Sequence, residues 1–292
     1  EENFRTGDYE LALNGDGNVL GFVQILDEYG TKAGKSVNFY AGVCELQLGN
    51  YESAIKYLQA YNGKDAILAA RAQACIGDAY VGLENYSKAL VSLQSYQEKY
   101  PDGKYFYKAD FYMAESYKHL DKLEQACDSY TNVIEKGESA YVEPSMLYFS
   151  DLSYRLEKWE DAYGGYSSLY ASAAVENNKM AALKGMMRSA YRWHNWNGAL
   201  KAVEKVLEEN AMGADVKREA EYIKAKSLMA SSRRDEALVV MKALAADVKD
   251  AYGAEAAYTL VLDSYDKGDF VDVENKVFAD SSCVVKKDYQ IS

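Results

Sequence analysis

Large and small apolar residues recur along the chain at a helical interval. A bulky leading residue is followed by Ala three positions on, and by another large residue four beyond that. The set reads Tyr51, Ala54, Leu58; then Tyr86, Ala89, Leu93; Leu123, Ala126, Tyr130; Trp159, Ala162, Tyr166; and Trp196, Ala199, Val203. Looser copies are Arg234, Ala237, Met241 and Phe270, Val273, Val277. Offsets of three and seven place all three side chains on one face of a helix. Successive leading residues, called anchors below, lie 35, 37, 36, 37, 38 and 36 positions apart. A period of this length, held over six intervals, marks a stack of like supersecondary units.

A slim residue stands nine positions before most anchors: Gly42, Gly77, Ala114, Ser150 and Ala225, with Met187 and Val261 as exceptions. Two helices approach closely only where side chains are small, so each unit is predicted to be a helix hairpin touching at that residue and the anchor's Ala. Turn signals part the two helices at Leu48-Gly49-Asn50, Leu83-Glu84-Asn85 and Lys267-Gly268-Asp269. Others part the units at Asn62-Gly63, Tyr100-Pro101-Asp102-Gly103 and Lys136-Gly137. The expected architecture is all-α: a solenoid of antiparallel helix hairpins, about seven full repeats after a partial one. Residues 1–34 are read as the partial repeat with an irregular loop, 35–280 as the array and 281–292 as a tail without a helical stripe. A solenoid end needs a polar cap. None is evident, so an exposed hydrophobic edge is expected at the C-terminus, covered by the tail, by further repeats or by a dimer mate. In the partial copy, Thr6-Gly7-Asp8-Tyr9 with Ala12 reads as a turn and the start of a second helix. The following Asn14-Gly15-Asp16-Gly17-Asn18 alternates oxygen side chains like a calcium loop. Val19 stands where the sharp-turn glycine belongs and Ile25 where the bidentate acid belongs, so a plain loop is expected.

Composition supports this picture and narrows the function. Only two prolines occur, which favours long helical runs. Tyrosine is used 27 times; its apolar ring and polar tip suit half-buried helix faces and binding grooves alike. The net charge of −12, with no basic run, argues against a nucleic-acid partner. Cys44, Cys75, Cys127 and Cys283 match no zinc or redox spacing and read as free thiols. No apolar run is long enough to span a membrane. The chain opens on Glu1-Glu2-Asn3-Phe4 with neither an initiator Met nor a leader. We read it as part of a longer precursor, in which an envelope signal or anchor could have preceded it.

The stretches Gly77-Asp78-Ala79-Tyr80, Asn85-Tyr86-Ser87-Lys88-Ala89-Leu90 with Tyr100-Pro101, and Gly49-Asn50-Tyr51-Glu52-Ser53-Ala54-Ile55 resemble the tetratricopeptide repeat family. The likeness runs over roughly residues 1–280 and weakens where Arg234 and Val273 depart from the pattern. It implies a right-handed superhelical stack of helix hairpins whose usual role is protein–protein interaction. The opening, Tyr9 to Asn18 and Tyr40 to Cys44, looks like membrane-tethered envelope proteins of this family from Bacteroidetes. From about Ser95 the chain looks more like a second, longer protein of the same kind, as if two arrays were joined. The resemblance places the protein in the periplasm or envelope, with the cytoplasm as the alternative.

Catalytic chemistry finds little footing. His119 and His194 lie in no metal or triad motif, and Gly164-Gly165 lacks the Lys-Ser/Thr of a phosphate loop and reads as close packing or a kink. No enzyme activity, metal or cofactor is expected. Helical spacing from the anchors, applied to first helices lining a concave wall, selects Lys108, Phe111, Glu115, Lys118, His119, Leu147, Asp151, Tyr154, Arg155, Arg188, Tyr191, Arg192, Tyr222 and Lys226. The ten basic and aromatic members other than His119 (Lys108, Phe111, Lys118, Tyr154, Arg155, Arg188, Tyr191, Arg192, Tyr222 and Lys226) form a candidate site for an acidic or carboxylate-ended peptide. The competing reading pairs Arg155, Arg188 and Arg192 with acids on neighbouring helices. The expected function is a non-catalytic scaffold holding proteins or peptides, in envelope assembly by resemblance. The alternative is a structural spacer or repeat fusion without a ligand.

Overall fold

The computed structural model describes residues 2–278 apart from Asp102 and Glu138, so the tail with Cys283 lies outside the described residues. Two compact units divide the chain, Glu1–Phe149 and Ser150–Ser292. Among the described residues there are helices and turns, with one isolated bridge between Gly15 and Leu20. The partial repeat comprises α1 (Glu2–Thr6) and α2 (Tyr9–Asn14), followed by α3 (Phe22–Tyr29). Seven full hairpins then follow: α4 (Ser36–Gln47) with α5 (Tyr51–Ala60), α6 (Ala66–Gly82) with α7 (Tyr86–Lys99), α8 (Phe106–His119) with α9 (Leu123–Lys136), α10 (Val142–Arg155) with α11 (Trp159–Ser172), α12 (Glu176–Arg192) with α13 (Trp196–Glu208), α14 (Ala214–Ala230) with α15 (Arg234–Ala245), and α16 (Ala251–Asp266) with α17 (Phe270–Phe278). Every anchor is the first residue of a second helix. Helix α7 runs unbroken through Ser95, where the two sequence resemblances meet.

One backbone device explains why the hairpins repeat so regularly. The residue two before each anchor has a left-handed φ: Gly49, Glu84, Asp121, Glu157, His194, Ser232 and Gly268. Gly7 does the same before Tyr9. Around each, two reversed hydrogen bonds close the first helix, as when Gly49 N–H donates to Leu46 O and Asn50 N–H donates to Glu45 O. This is a Schellman closure. The next residue then serves as N-cap of the second helix. Asp8, Asn85, Asn195 and Asp269 do so with a side-chain acceptor at hydrogen-bond distance. Lys122, Lys158 and Arg233 stand at the same place and offer no such acceptor.

The small positions meet the large ones. A Cβ on Gly42 would lie 2.6 Å from Leu58 Cγ, and one on Gly77 would collide with Leu93. Leu58 and Leu93 are the large residues seven past their anchors, and both are buried. Anchor Ala residues 54, 89, 126, 162, 199 and 237 are fully buried, as are Tyr130 and Met241. Gly164 does not behave this way: it has open space around it and α11 continues without a break, so neither tight packing nor a kink is its role. In the loop after α2, Asp16 accepts from the backbone N–H of Asn18 and Val19, an Asx-type turn. The last hairpin leaves Tyr258, Leu262, Tyr265, Phe270 and Val271 exposed.

Candidate functional site

Successive first helices touch through a register that the anchors define. Eight residues before an anchor stands one charge; fifteen before the next anchor stands its opposite. Asp78 on α6 pairs with Lys108 on α8. Arg188 on α12 forms a two-pronged pair with Glu219 on α14, at 2.8 Å from Nε and 2.6 Å from Nη2. Lys226 on α14 donates to Glu255 on α16 at 2.8 Å. The polarity is acid-then-base in the first unit and base-then-acid in the second.

Where the later position holds no charge, a tyrosine from the same hairpin takes over. Pro144 and Ala181 occupy that position after Glu115 and Asp151. Glu115 instead receives the hydroxyl of Tyr130 and the ammonium of Lys118, and Asp151 receives the hydroxyl of Tyr166 at 2.5 Å. Both tyrosines sit seven past their anchors, deep in the hairpin. Burial pushes their hydroxyls well above the usual phenol range, and the facing carboxylates add to it.

Anchors themselves reach the next first helix four residues before its successor anchor. Tyr51 fills the space over Gly82. Tyr86 stacks flat on His119 at 4.3 Å. The Arg192 guanidinium lies 5.7 Å from the Trp159 ring centre, and Arg234 faces Asp266 at 3.8 Å. His119 is thus an exposed stacking partner at a helix end. His194 is a turn residue, edge-on to Trp196.

Each candidate wall residue now has a place. In the first unit Lys108 is held by Asp78 and lies over Tyr112. Phe111 packs against Tyr130 and Tyr141, and Lys118 is held by Glu115 over the Tyr148 ring at 4.3 Å. In the second unit Tyr154 meets Trp159 edge-on and Tyr191 meets Trp196. The Tyr222 hydroxyl donates to Glu255 at 2.7 Å beside Lys226. Arg155 and Arg192 end α10 and α12 and are exposed. Four of the six cations are therefore committed to acids of the same chain.

Three of those acids, Asp78, Glu219 and Glu255, are what sequence reasoning overlooked. Their signal was present: opposite charges 29 to 31 residues apart, three times over. Burial raises the Asp78 carboxyl above its ordinary 3.8, with Lys108 opposing. Burial works against the Lys108 ammonium, but Asp78 more than offsets it and holds the group charged. Glu255 behaves differently: burial works to raise it, yet Lys226 and the Tyr222 hydroxyl hold it below its ordinary 4.5. Among the described residues, no three His, Cys, Asp or Glu side chains converge as a metal site, and no helix is long and apolar enough to cross a membrane.

Residues 76–103 and 108–136 match the family model described as tetratricopeptide repeat. No curated relative matches the sequence. Among solved structures, a tetratricopeptide repeat protein from Parabacteroides merdae is similar at 13% identity and TM-score 0.46, covering 91% of this chain and 96% of that one. MamA AMB-1 is similar at 16% identity and TM-score 0.45, covering 57% and 94%. The TPR2AB domain of yeast Sti1, in a complex with pHSP90, is similar at 15% identity and TM-score 0.33, covering 79% and 96%.

Proposed function

We propose that this chain, of which residues 76–103 and 108–136 match the tetratricopeptide repeat model, is a non-catalytic scaffold that binds an acidic peptide or protein segment on its first helices. The observation that carries this reading is that, within each unit, the first helices bear half-buried tyrosines beside cations, in a protein whose net charge is −12. Tyrosine offers contact area at low entropic cost, and Arg offers a fork for carboxylates. The cations not spent on internal acids are Arg155 and Arg192, so they are the ones a partner would engage. By sequence resemblance the setting is the bacterial envelope and the task is protein assembly there. A homodimer through the exposed residues of the last hairpin belongs to the same proposal.

One observation favours a second reading, a structural spacer or repeat fusion without a ligand: Lys108, Lys118, Arg188 and Lys226 are already paired within the chain. Binding of an immobilised acidic-peptide array to the whole chain separates the two. The scaffold reading expects binding that falls with salt and is lost in the double variant Arg155→Glu, Arg192→Glu, whose far-ultraviolet circular dichroism stays unchanged. Equal binding by a folded double variant sinks it.

A further inference from the structure

At one step of the charge register between first helices a cation stands without the acid, and a cavity lies on that cation. Fifteen before the second full anchor stands Arg71, the counterpart of Lys108. Eight before the first full anchor, where Asp78 stands one repeat later, the chain places Val43, a buried core residue. Arg71 therefore lacks the acid that its register position receives elsewhere. Its guanidinium is steadied instead by aromatic faces, 5.5 Å from the Phe39 ring centre and 6.0 Å from that of Tyr105. Arg71 lines a cavity of about 200 Å³ with Phe4, Arg5, Phe22, Tyr40 and Leu68. Phe22 and Tyr40 stack at 5.5 Å, and Phe4 meets both edge-on. Among the described residues no carboxylate lies at ion-pair distance from Arg5 or Arg71.

We propose that this cavity binds a carboxylate carried on a compact apolar body, an external anion taking up the charge of Arg71 that no internal acid meets. Two guanidinium groups supply charge-assisted hydrogen bonds. The aromatic and leucine wall takes the apolar part. The volume is below the range of about 300–1,000 Å³ usual for drug-sized ligands, so the occupant is one residue or a small acid rather than a folded segment. Such a group occurs as a free aryl- or alkyl-carboxylic acid and as the last residue of a peptide chain. The inference goes beyond the scaffold reading and uses none of the wall residues between Lys108 and Lys226. Its failure would leave that reading standing.

The test uses the whole chain with 3-phenylpropionate and its primary amide, followed by carbon-13 chemical shifts of the aromatic rings and arginine side chains. The expected result is saturable binding of the acid that shifts Phe4, Tyr40 and Arg71 resonances, with the amide roughly tenfold weaker or more. Arg71→Gln and, independently, Arg5→Gln on the exposed face of α1 each weaken the acid by about tenfold and leave amide binding unchanged. Equal binding of acid and amide overturns the proposal, as does acid binding indifferent to a folded Arg5→Gln variant, or no shift at millimolar acid. A hexapeptide ending in Phe, offered as free acid and as carboxamide, distinguishes the sources. Tighter binding of the free-acid peptide than of 3-phenylpropionate assigns the site to a chain end. Binding of the small acid alone assigns it to a free carboxylic acid.

Discussion

The joint between α6 and α8 and the joint between α12 and α14 occupy the same register, yet they are opposite in polarity and unequal in burial. At the first, the Asp78 side chain is 8% exposed and meets Lys108. At the second, the Arg188 side chain is 43% exposed and meets Glu219. The contrast teaches that the repeat geometry determines where a charged pair can sit, while the sign is free to invert. Burial then decides what the pair is worth. A pair near the surface contributes under about 1 kcal/mol, whereas stranding one partner of a buried pair costs about 3–5 kcal/mol.

The largest expected effect follows directly. Lys108→Met leaves Asp78 without its cation and should cost about 3–5 kcal/mol in urea unfolding. A cost near that of a surface substitution would show that Asp78 is solvated after all. Next in size is Gly42→Ala, whose added methyl meets Leu58 and should cost about 1–3 kcal/mol by overpacking. Ala114 already fills the equivalent place two repeats later, so Ala114→Gly should bring no gain there. Arg188→Gln should cost less than about 1 kcal/mol, since its site is partly open and Glu219 can be rehydrated. The double exchange Arg188→Glu with Glu219→Arg should restore the loss.

Acid titration sharpens the same contrast. The Asp78 carboxyl is raised by burial, so the folded chain binds more protons than the unfolded one in the window opening just above pH 3.8, and stability falls as pH rises through it. Glu255 is depressed, so its contribution is present above pH 4.5 and is lost as pH falls through the folded value. Carboxyl carbon shifts should therefore report Asp78 titrating above 3.8 and Glu255 below 4.5. The reverse order would contradict the roles given to burial and to Lys226. The smallest expected effect concerns the turns. Ser232 holds a left-handed φ of 60°, so Ser232→Gly should stabilise by about 0.5–1 kcal/mol in thermal unfolding. Gly49→Ala should do the opposite.

Much of this architecture could be read from residues alone, because packing imprints composition. The anchor, its Ala and the large residue beyond must fit a hairpin, so Tyr86, Ala89 and Leu93 announce themselves. Gly42 and Gly77 were legible for the same reason. The left-handed turn position was legible only in part: Gly49, Glu84 and Gly268 fall within the turn signals, but Asp121, Glu157, His194 and Ser232 share no chemistry with them, since backbone hydrogen bonds impose the conformation. The role of Tyr130 and Tyr166 was half visible. Their burial follows from spacing, but their hydroxyl bonds to Glu115 and Asp151 depend on a neighbouring helix. The candidate wall was selected by helical phase, which locates Lys108, Arg188 and Lys226 on first helices. Phase alone says nothing of their partners, because an ion pair between repeats links residues about 30 apart whose sign inverts along the chain. The missing acid opposite Arg71 becomes legible only once the three charged pairs are known.

The most direct test is a double-mutant cycle at the buried joint, with Asp78→Leu and Lys108→Met made singly and together and unfolding free energies measured in urea. If register and burial govern the joint, either single change is strongly destabilising and the apolar double variant recovers most of the loss. Additive losses in the double variant would mean that the two residues do not meet, and the account of how neighbouring hairpins join would fail.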